Sequence, residues 1–588
     1  MNELKEQVKW WKRSDLFMHI LSTGRDLYKN LLLSIQKRPG KSKLSLLVAG
    51  MILIATAIRL MLLLNNWPVT NSDEANMGIM ALHIAYHGAW PAIFYGQGYM
   101  APIEAYIAAP IFQLAGPSFL TLRIGLLLFY IAFLVAMYYH SSFLYTKRFA
   151  LFICLLLCLG SKEIIIRQLK AVGEYPEFPL LAISICMLVL KIVWSYDDIY
   201  AGKVARRRIL LYFLLGLIVG IAIWVDFLIL PFVITGLVIL LVFAKKELLS
   251  TPGLLLLLGI FIGISPLIIY NITVPFDQGT IASIGGIINT TDEKSYTIIQ
   301  KIAGAFFISI PNATGYAYMC SANAFPTLGR ANGSCVVLQG GWSLGYLLLW
   351  TLALWKAIKN SIVTRKIQST ATKEDRQKQI IEYARLMLLI SGGMTIILYA
   401  LSTSAAAVPE ATARYLVCLL LTIPAVLWQL WPQKERSLRI KGKRLASMLA
   451  FINVGILLLI VCVFLSGIVE TFADVAAAQQ FSQQQSALVQ RLQTLGATRI
   501  YSEYWTCNRL IFQSNEKIIC SVLNEDLSTG LNRYPPYQSM VQKAANPAYV
   551  FPAGSQYDVN FIKAQGKRNV AGKYRYIKYA GYSIYMPY

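Results

Sequence analysis

Acidic residues are scarce in this chain: 29 Asp and Glu stand against 54 Lys and Arg, and charged residues make up only 14% of 588 residues. With 56% hydrophobic residues and a mean hydropathy of +0.54, so little charge excludes a soluble protein of ordinary composition. A net charge of +25 would point a soluble protein toward nucleic acid. Here the basic residues gather in short segments between apolar runs, where they orient a chain in a bilayer. Nucleic acid is therefore discounted as a partner. Histidine is rarer still, with four in the chain, and nine cysteines give no ligand spacing of the CxxC kind. Cys154, Cys158, Cys186, Cys418 and Cys462 lie inside apolar runs, where a thiol packs as a small hydrophobe. Cys320 and Cys335 share one polar loop, and Cys507 and Cys520 share the C-terminal tail, so each pair could close a disulfide in an oxidising compartment. No small-residue cleavage site follows an apolar core near the N-terminus, so the basic stretch 1–43 reads as a retained cytosolic segment. An internal repeat is also missing.

What the chain has in abundance is long apolar runs. A helix needs roughly 20 apolar residues to cross the hydrocarbon core. Such runs fall near 44–64, 120–145, 149–172, 176–195, 209–226, 227–244, 253–271, 340–358, 385–402, 413–431 and 446–468. The expected fold is a polytopic α-helical membrane protein with about 11–12 transmembrane helices, spanning 44–468, followed by a C-terminal extracytosolic α/β domain over 469–588. The basic connectors 146–148, 203–208, 245–246, 356–379 and 434–444 should be cytosolic. That parity puts 65–119, the Gly173–Pro176 corner, 272–338, 403–412 and everything after 468 on the opposite side. It requires APIEAYIAAPIFQLAG, with Pro102 and Pro110, to be an interfacial or re-entrant element rather than a crossing. In the tail, residues up to Gly496 read as a helix leaving the membrane, and ATRIYSEYW, KIICSVL, AYVF and YRYIKYAGYSIYMPY read as short strands. The expected location is a bacterial cytoplasmic membrane, with the active site facing outward.

Against such scarcity, the acids that remain are informative. Asp73 and Glu74 stand together in NSDEANMG just after the first apolar run, and Glu104, Arg167, Lys170, Glu174, Glu177, Asp226, Glu410 and Arg414 fall on the same expected side. Ionisable groups at membrane depth are costly, so those near span ends either snorkel or line a polar cavity. Carboxylates beside cations at one membrane face are what a transferase needs to activate a hydroxyl and hold a phosphate leaving group. The bland reading is that Asp73 caps the helix ANMGIMALHIAYHG, with Glu74 favouring its dipole. Arg123 reads as an anchor for its own helix. His83 and His87 stand at i and i+4 and could share a divalent metal, although no acid at helical spacing completes the set.

The order of first span, SDEA, an amphipathic helix, GQGYMAPIEAYIAAPIFQLAGPSFLTLR, LKAVGEYPEFPLLAISICMLVL, GIAIWVDFLILPFVI, GISPLIIYN and ARYLVCLL resembles the GT-C superfamily of membrane glycosyltransferases. The closer likeness is to the family of aminoarabinose transferases and protein O-mannosyltransferases. In that superfamily the acidic motif of the first outer loop is catalytic and the donor is a sugar on a polyprenyl phosphate. The resemblance thus implies Asp73 and Glu74 as catalytic residues, and a donor site drawing on Tyr99, Glu104, Lys170, Glu174, Tyr175, Arg414 and Tyr415. The implied partners are a lipid-linked sugar donor, membrane lipids and a glycan, lipid or protein acceptor. The competing reading is a transporter or flippase of lipid-linked sugars, in which the same charges line a path.

Overall fold

A computed structural model describes residues 42–195, 205–289, 296–316, 333–366, 373–432, 443–567 and 573–588. The segment 1–41 and the pairing of Cys320 with Cys335 fall outside the described residues. By internal packing the chain divides after Leu53, and the contacts described below lie within Ile54–Tyr588.

Among the described residues, eight helical stretches are long and apolar enough to cross a membrane, among them α1 (Ser42–Leu64), and one bent pair adds a ninth. The bent pair is α6 (Lys147–Leu159) and α7 (Lys162–Leu169), which meet at 78°. Continuous apolarity over 149–172 predicts one straight span, and the break has a local cause. Gly160 takes a left-handed φ of 83°, and Ser161 starts a new helix by accepting from the N–H of Ile164. The carbonyls left open at the end of α6 are taken up by the buried Arg59 of α1, which donates to Cys158 O at 2.6 Å and Leu159 O at 3.0 Å. A second departure concerns 413–431, expected as a plain span. Here Ala413–Leu421 winds as a 3-10 helix followed by Ile423–Leu427, almost wholly buried. Irregular backbone at such depth is tolerated where protein encloses it.

Between α1 and the first of the long re-entering spans lie α2 (Ser72–His87), α3 (Ile103–Ala115) and the short α4 (Phe119–Ile124), which runs on into α5 (Leu126–Leu144). The 13 residues of α3 reach only about 20 Å at 1.5 Å per residue, too short for a core about 30 Å thick. It lies instead against α2, through contacts such as Tyr86 Oη donating to Phe112 O at 2.7 Å. Beyond α8 (Phe178–Trp194), the helices α9 (Ala205–Val225), α10 (Leu230–Leu248) and α11 (Thr251–Thr273) follow. α9 and α11 touch backbone to backbone. Gly216 and Gly220 face Gly259 and Gly263, and a Cβ on Gly216 would sit 2.0 Å from Leu256 O. Small residues four apart on both helices permit this approach.

After α12 (Gly333–Lys366), α13 (Lys373–Leu401), α14 (Lys443–Ala473) and α15 (Val475–Thr494), the chain builds a small mixed domain. Its five-stranded sheet has the order β2-β1-β3-β5-β4, from β1 (Arg499–Ser502), β2 (Ile519–Val522), β3 (Ala548–Pro552), β4 (Tyr574–Tyr579) and β5 (Tyr582–Pro587). β2-β1-β3 are parallel and β3-β5-β4 antiparallel. The helices α16 (Tyr504–Gln513), α17 (Pro535–Gln542) and α18 (Gln556–Lys567) complete it, and Cys507 is bonded to Cys520. This domain does not keep its core to itself. Phe512 of α16 packs between Phe112 and Phe119, and α2 admits it by offering Gly78, where a Cβ would lie 2.7 Å from the Phe512 ring.

Candidate active site

The start of α2 presents its two carboxylates in opposite directions. Asn71, rather than Asp73, is the N-cap, since its side chain accepts from the N–H of Glu74 at 3.0 Å. This corrects the expectation that Asp73 caps the helix. Glu74 is fully buried. Its carboxylate receives Arg123 Nε at 2.7 Å and Nη2 at 2.5 Å, together with the N–H of Ala171 at 3.1 Å. Arg123 is therefore a fixed partner of Glu74 and not merely an anchor for its own helix. A planar guanidinium meeting both carboxylate oxygens is the strongest form of such a contact.

Asp73 faces the C-terminal domain. Its Oδ1 accepts from Arg533 Nη2 at 3.0 Å and from the Tyr504 hydroxyl, while Arg533 Nε donates to Tyr504 Oη at 2.8 Å. Among the described residues Oδ2 takes no hydrogen bond. The Tyr504 hydroxyl is held far from ionisation by burial and by the Asp73 carboxylate. Neither Tyr504 nor Arg533 was legible as a site residue: 460 positions separate Arg533 from Asp73, and no local pattern in the tail marks it.

The loop 88–102 links this cluster to a second. Arg533 Nη1 donates to Gly96 O, and Gln97 donates to the hydroxyl of Tyr99. The Tyr99 pKa is raised by burial and by Glu174, Tyr415 and Asp226, and pulled back by Arg533, so Tyr99 stands between the two groups. The same loop is tied to the turn before Asp226 by Trp224 Nε1 donating to Ala92 O at 2.6 Å and by Ala101 N–H donating to Val225 O.

In the second cluster Glu174 occupies a sharp corner with φ of 61°, a left-handed state rare for a residue with a side chain. Burial and the facing Asp226 carboxylate push Glu174 well above the usual carboxylate range, and Asp226 is raised by burial as well. Arg414 lies over the rings of Tyr175 at 5.2 Å and Tyr415 at 5.6 Å, and its buried Nε has no hydrogen-bond partner among the described residues. Arg167, which donates to Glu163, lines a small cavity together with Arg414. Half-buried Lys170 follows α7, and burial brings its pKa down to about 8 against the opposing pull of Glu74. Glu104 accepts from the N–H of Gly173 at 2.9 Å, and its buried Oε2 has no hydrogen-bond partner among the described residues. Its neighbour Glu177 is raised to about 7 by burial.

Tyr99, Glu174, Tyr175, Arg414 and Tyr415 thus share one neighbourhood, Lys170 and Glu104 lie near the buried Glu74, and Asp73 meets Arg533. A structure of ArnT from Cupriavidus metallidurans bound to undecaprenyl phosphate matches over 92% of this chain and 97% of its own length, with 13% identity and a TM-score of 0.56. The chain shares its fold with that ArnT structure. The apo state of the same ArnT matches over 91% and 98%, with 13% identity and a TM-score of 0.52. The archaeal oligosaccharyltransferase AglB from Archaeoglobus fulgidus matches over 92% of this chain and 74% of its own, at 14% identity and a TM-score of 0.44. By sequence the chain matches no family model and no curated protein. The likeness therefore rests on architecture, a helical bundle with an appended mixed sheet. A metal has one candidate holder among the described residues, the group His83, His87 and Glu516.

Proposed function

We propose that the protein is an inverting glycosyltransferase that moves a sugar from a polyprenyl-phosphate donor to an acceptor hydroxyl at the outer face of a cell membrane. The observation that carries this reading is the pairing of a carboxylate with an unengaged oxygen, Asp73, with a buried guanidinium carrying an unpartnered N–H, Arg414, within one set of linked corners. The fold adds support, because the ArnT structure that shares it holds undecaprenyl phosphate.

In this mechanism Asp73 Oδ2 takes the proton of the acceptor hydroxyl as that oxygen bonds to the anomeric carbon. The bond from that carbon to the phosphate oxygen breaks on the opposite face, and its electron pair leaves with the polyprenyl phosphate. Arg414 and Lys170 stabilise the departing anion. A glycosyl phosphate already carries a good leaving group, so one base and a phosphate clamp suffice where glycosidases use two carboxylates. Tyr99, Tyr175 and Tyr415 wall the donor site, and Glu104 holds the Gly173 corner in place.

Incubating the purified protein with radiolabelled polyprenyl-phosphate sugars and crude membrane acceptors tests the reading. Label should pass to an acceptor, and Asp73→Asn should slow transfer about a hundredfold, the lower end for proton transfer. Donor moved across vesicles with its sugar–phosphate bond intact would instead establish a flippase. Near-normal transfer by Asp73→Asn would remove Asp73 from the base role.

A further inference from the structure

Away from Asp73, the far end of α2 meets the C-terminal domain through a different set of groups. His83 and His87 project from one helix face a single turn apart, their rings stacked at 5.2 Å between centroids. Facing them is Glu516, on the turn after α16. Asn515 and Glu516 there take φ of 50° and 61°, two consecutive left-handed residues of a kind the backbone disfavours when a Cβ is present. The turn holds the carboxylate against the imidazoles: Glu516 Oε1 lies 3.1 Å from His83 Nε2 and Oε2 lies 3.6 Å from His87 Nε2.

We propose that His83, His87 and Glu516 form a zinc site that fastens the C-terminal domain to α2. One ligand atom from each residue falls within 4.8 Å of the other two. Zinc bonds of about 2.0–2.1 Å in a tetrahedron place ligand atoms about 3.3 Å apart; Glu516 Oε1 already stands at such a distance from His83 Nε2, and His87 must draw in to share the same ion. Two imidazoles and one carboxylate are donors that zinc accepts, whereas magnesium and calcium prefer oxygen alone. The buried His83 ring is oriented by the Tyr95 hydroxyl, 2.9 Å from Nδ1, which turns Nε2 toward Glu516, the arrangement that metal-binding histidines use. Tyr537 donates to Glu516 Oε1 at 2.6 Å and supports the carboxylate from the domain side. His87, with 56% of its side chain exposed, leaves water access for a fourth ligand. The helical spacing supplies the two histidines, and the acid that completes them comes from 433 residues away.

The alternative for the same contacts is a metal-free ion pair between histidine and glutamate, and metal binding itself separates the two. The full-length protein, purified in detergent without a polyhistidine tag, is stripped with a chelator and titrated with zinc chloride against a chromophoric competitor. One zinc ion per chain is expected, and Glu516→Gln and His87→Ala should each weaken it by about tenfold or more, as loss of a ligand must exceed the effect of losing a supporting contact. Zinc should raise the Tm of the wild type and leave that of His87→Ala unmoved, and cobalt in the same site should give the visible absorption of tetrahedral coordination. His87 is half exposed, so its truncation does not depend on repacking. Absence of stoichiometric zinc in the wild type, or equal affinity in both variants, overturns the proposal. No glycosyl donor enters the assay, so its result stands apart from the transferase reading.

Discussion

Adjacent acids can do opposite work when a helix start turns them to opposite sides, and Asp73 and Glu74 do so. Glu74 is fully buried against Arg123, so removing its charge strands a guanidinium in the interior, a loss of about 3–5 kcal/mol. Glu74→Gln is expected to lower the Tm of the solubilised protein sharply or to abolish its accumulation. Asp73→Asn leaves the Asn71 cap intact and keeps an oxygen that can accept from Arg533 and Tyr504, so its thermal unfolding should shift by clearly less than that of Glu74→Gln. Side-by-side melting curves distinguish the two roles, and equal shifts would refute the division. Lys170 gives a pH signature. Its pKa is depressed to about 8 by burial, so it is cationic below that value and neutral above. Donor affinity should therefore weaken as pH rises through about 8. Lys170→Arg, which stays charged, should flatten that part of the profile; an unchanged profile would exclude Lys170 from the phosphate.

The helices were legible wherever apolar length alone decides, and misread where a single residue overrides it. The straight span expected over 149–172 is broken because Arg59, far off in sequence, satisfies the carbonyls that a break exposes. The irregular segment around Arg414 reads as ordinary apolar sequence because its enclosure by protein has no local mark. The carboxylates and Arg414 could be found through their cost in a membrane, whereas Tyr504 and Arg533 sit in a polar tail where such residues are unremarkable. The glycine pattern of α9 and α11 was present in the sequence and gives a direct test. A Cβ at Gly220 would lie 2.3 Å from Ile260 O, while Gly455 has nothing within 4 Å. Gly220→Leu should destabilise the bundle by about 1–3 kcal/mol through overpacking, and Gly455→Leu should leave the Tm nearly unchanged. Comparable Tm values for the two would show that the contact between α9 and α11 is slack.

For the molecule as a whole, the basic connectors predict that the corners around Asp73 and the C-terminal domain face away from the cytosol. Ser72 and Ser502 are buried and would give a false negative to a thiol probe, whereas Trp90 and Leu531 are 81% and 56% exposed. Cysteines at those two positions, in a background without the native free cysteines, should react with a membrane-impermeant reagent in intact cells. Reaction only after permeabilisation would reverse the orientation. The contact between Asp73 and Arg533 also sets a schedule for biosynthesis. The 460 residues between them, at about 5–20 residues per second, take roughly half a minute to a minute and a half to translate. Through that interval the first carboxylate of α2 waits for its partner. On the proposed function, a chain stalled before Arg533 would lack that contact beside the proposed base, and a truncated message would yield a bundle without its completed site.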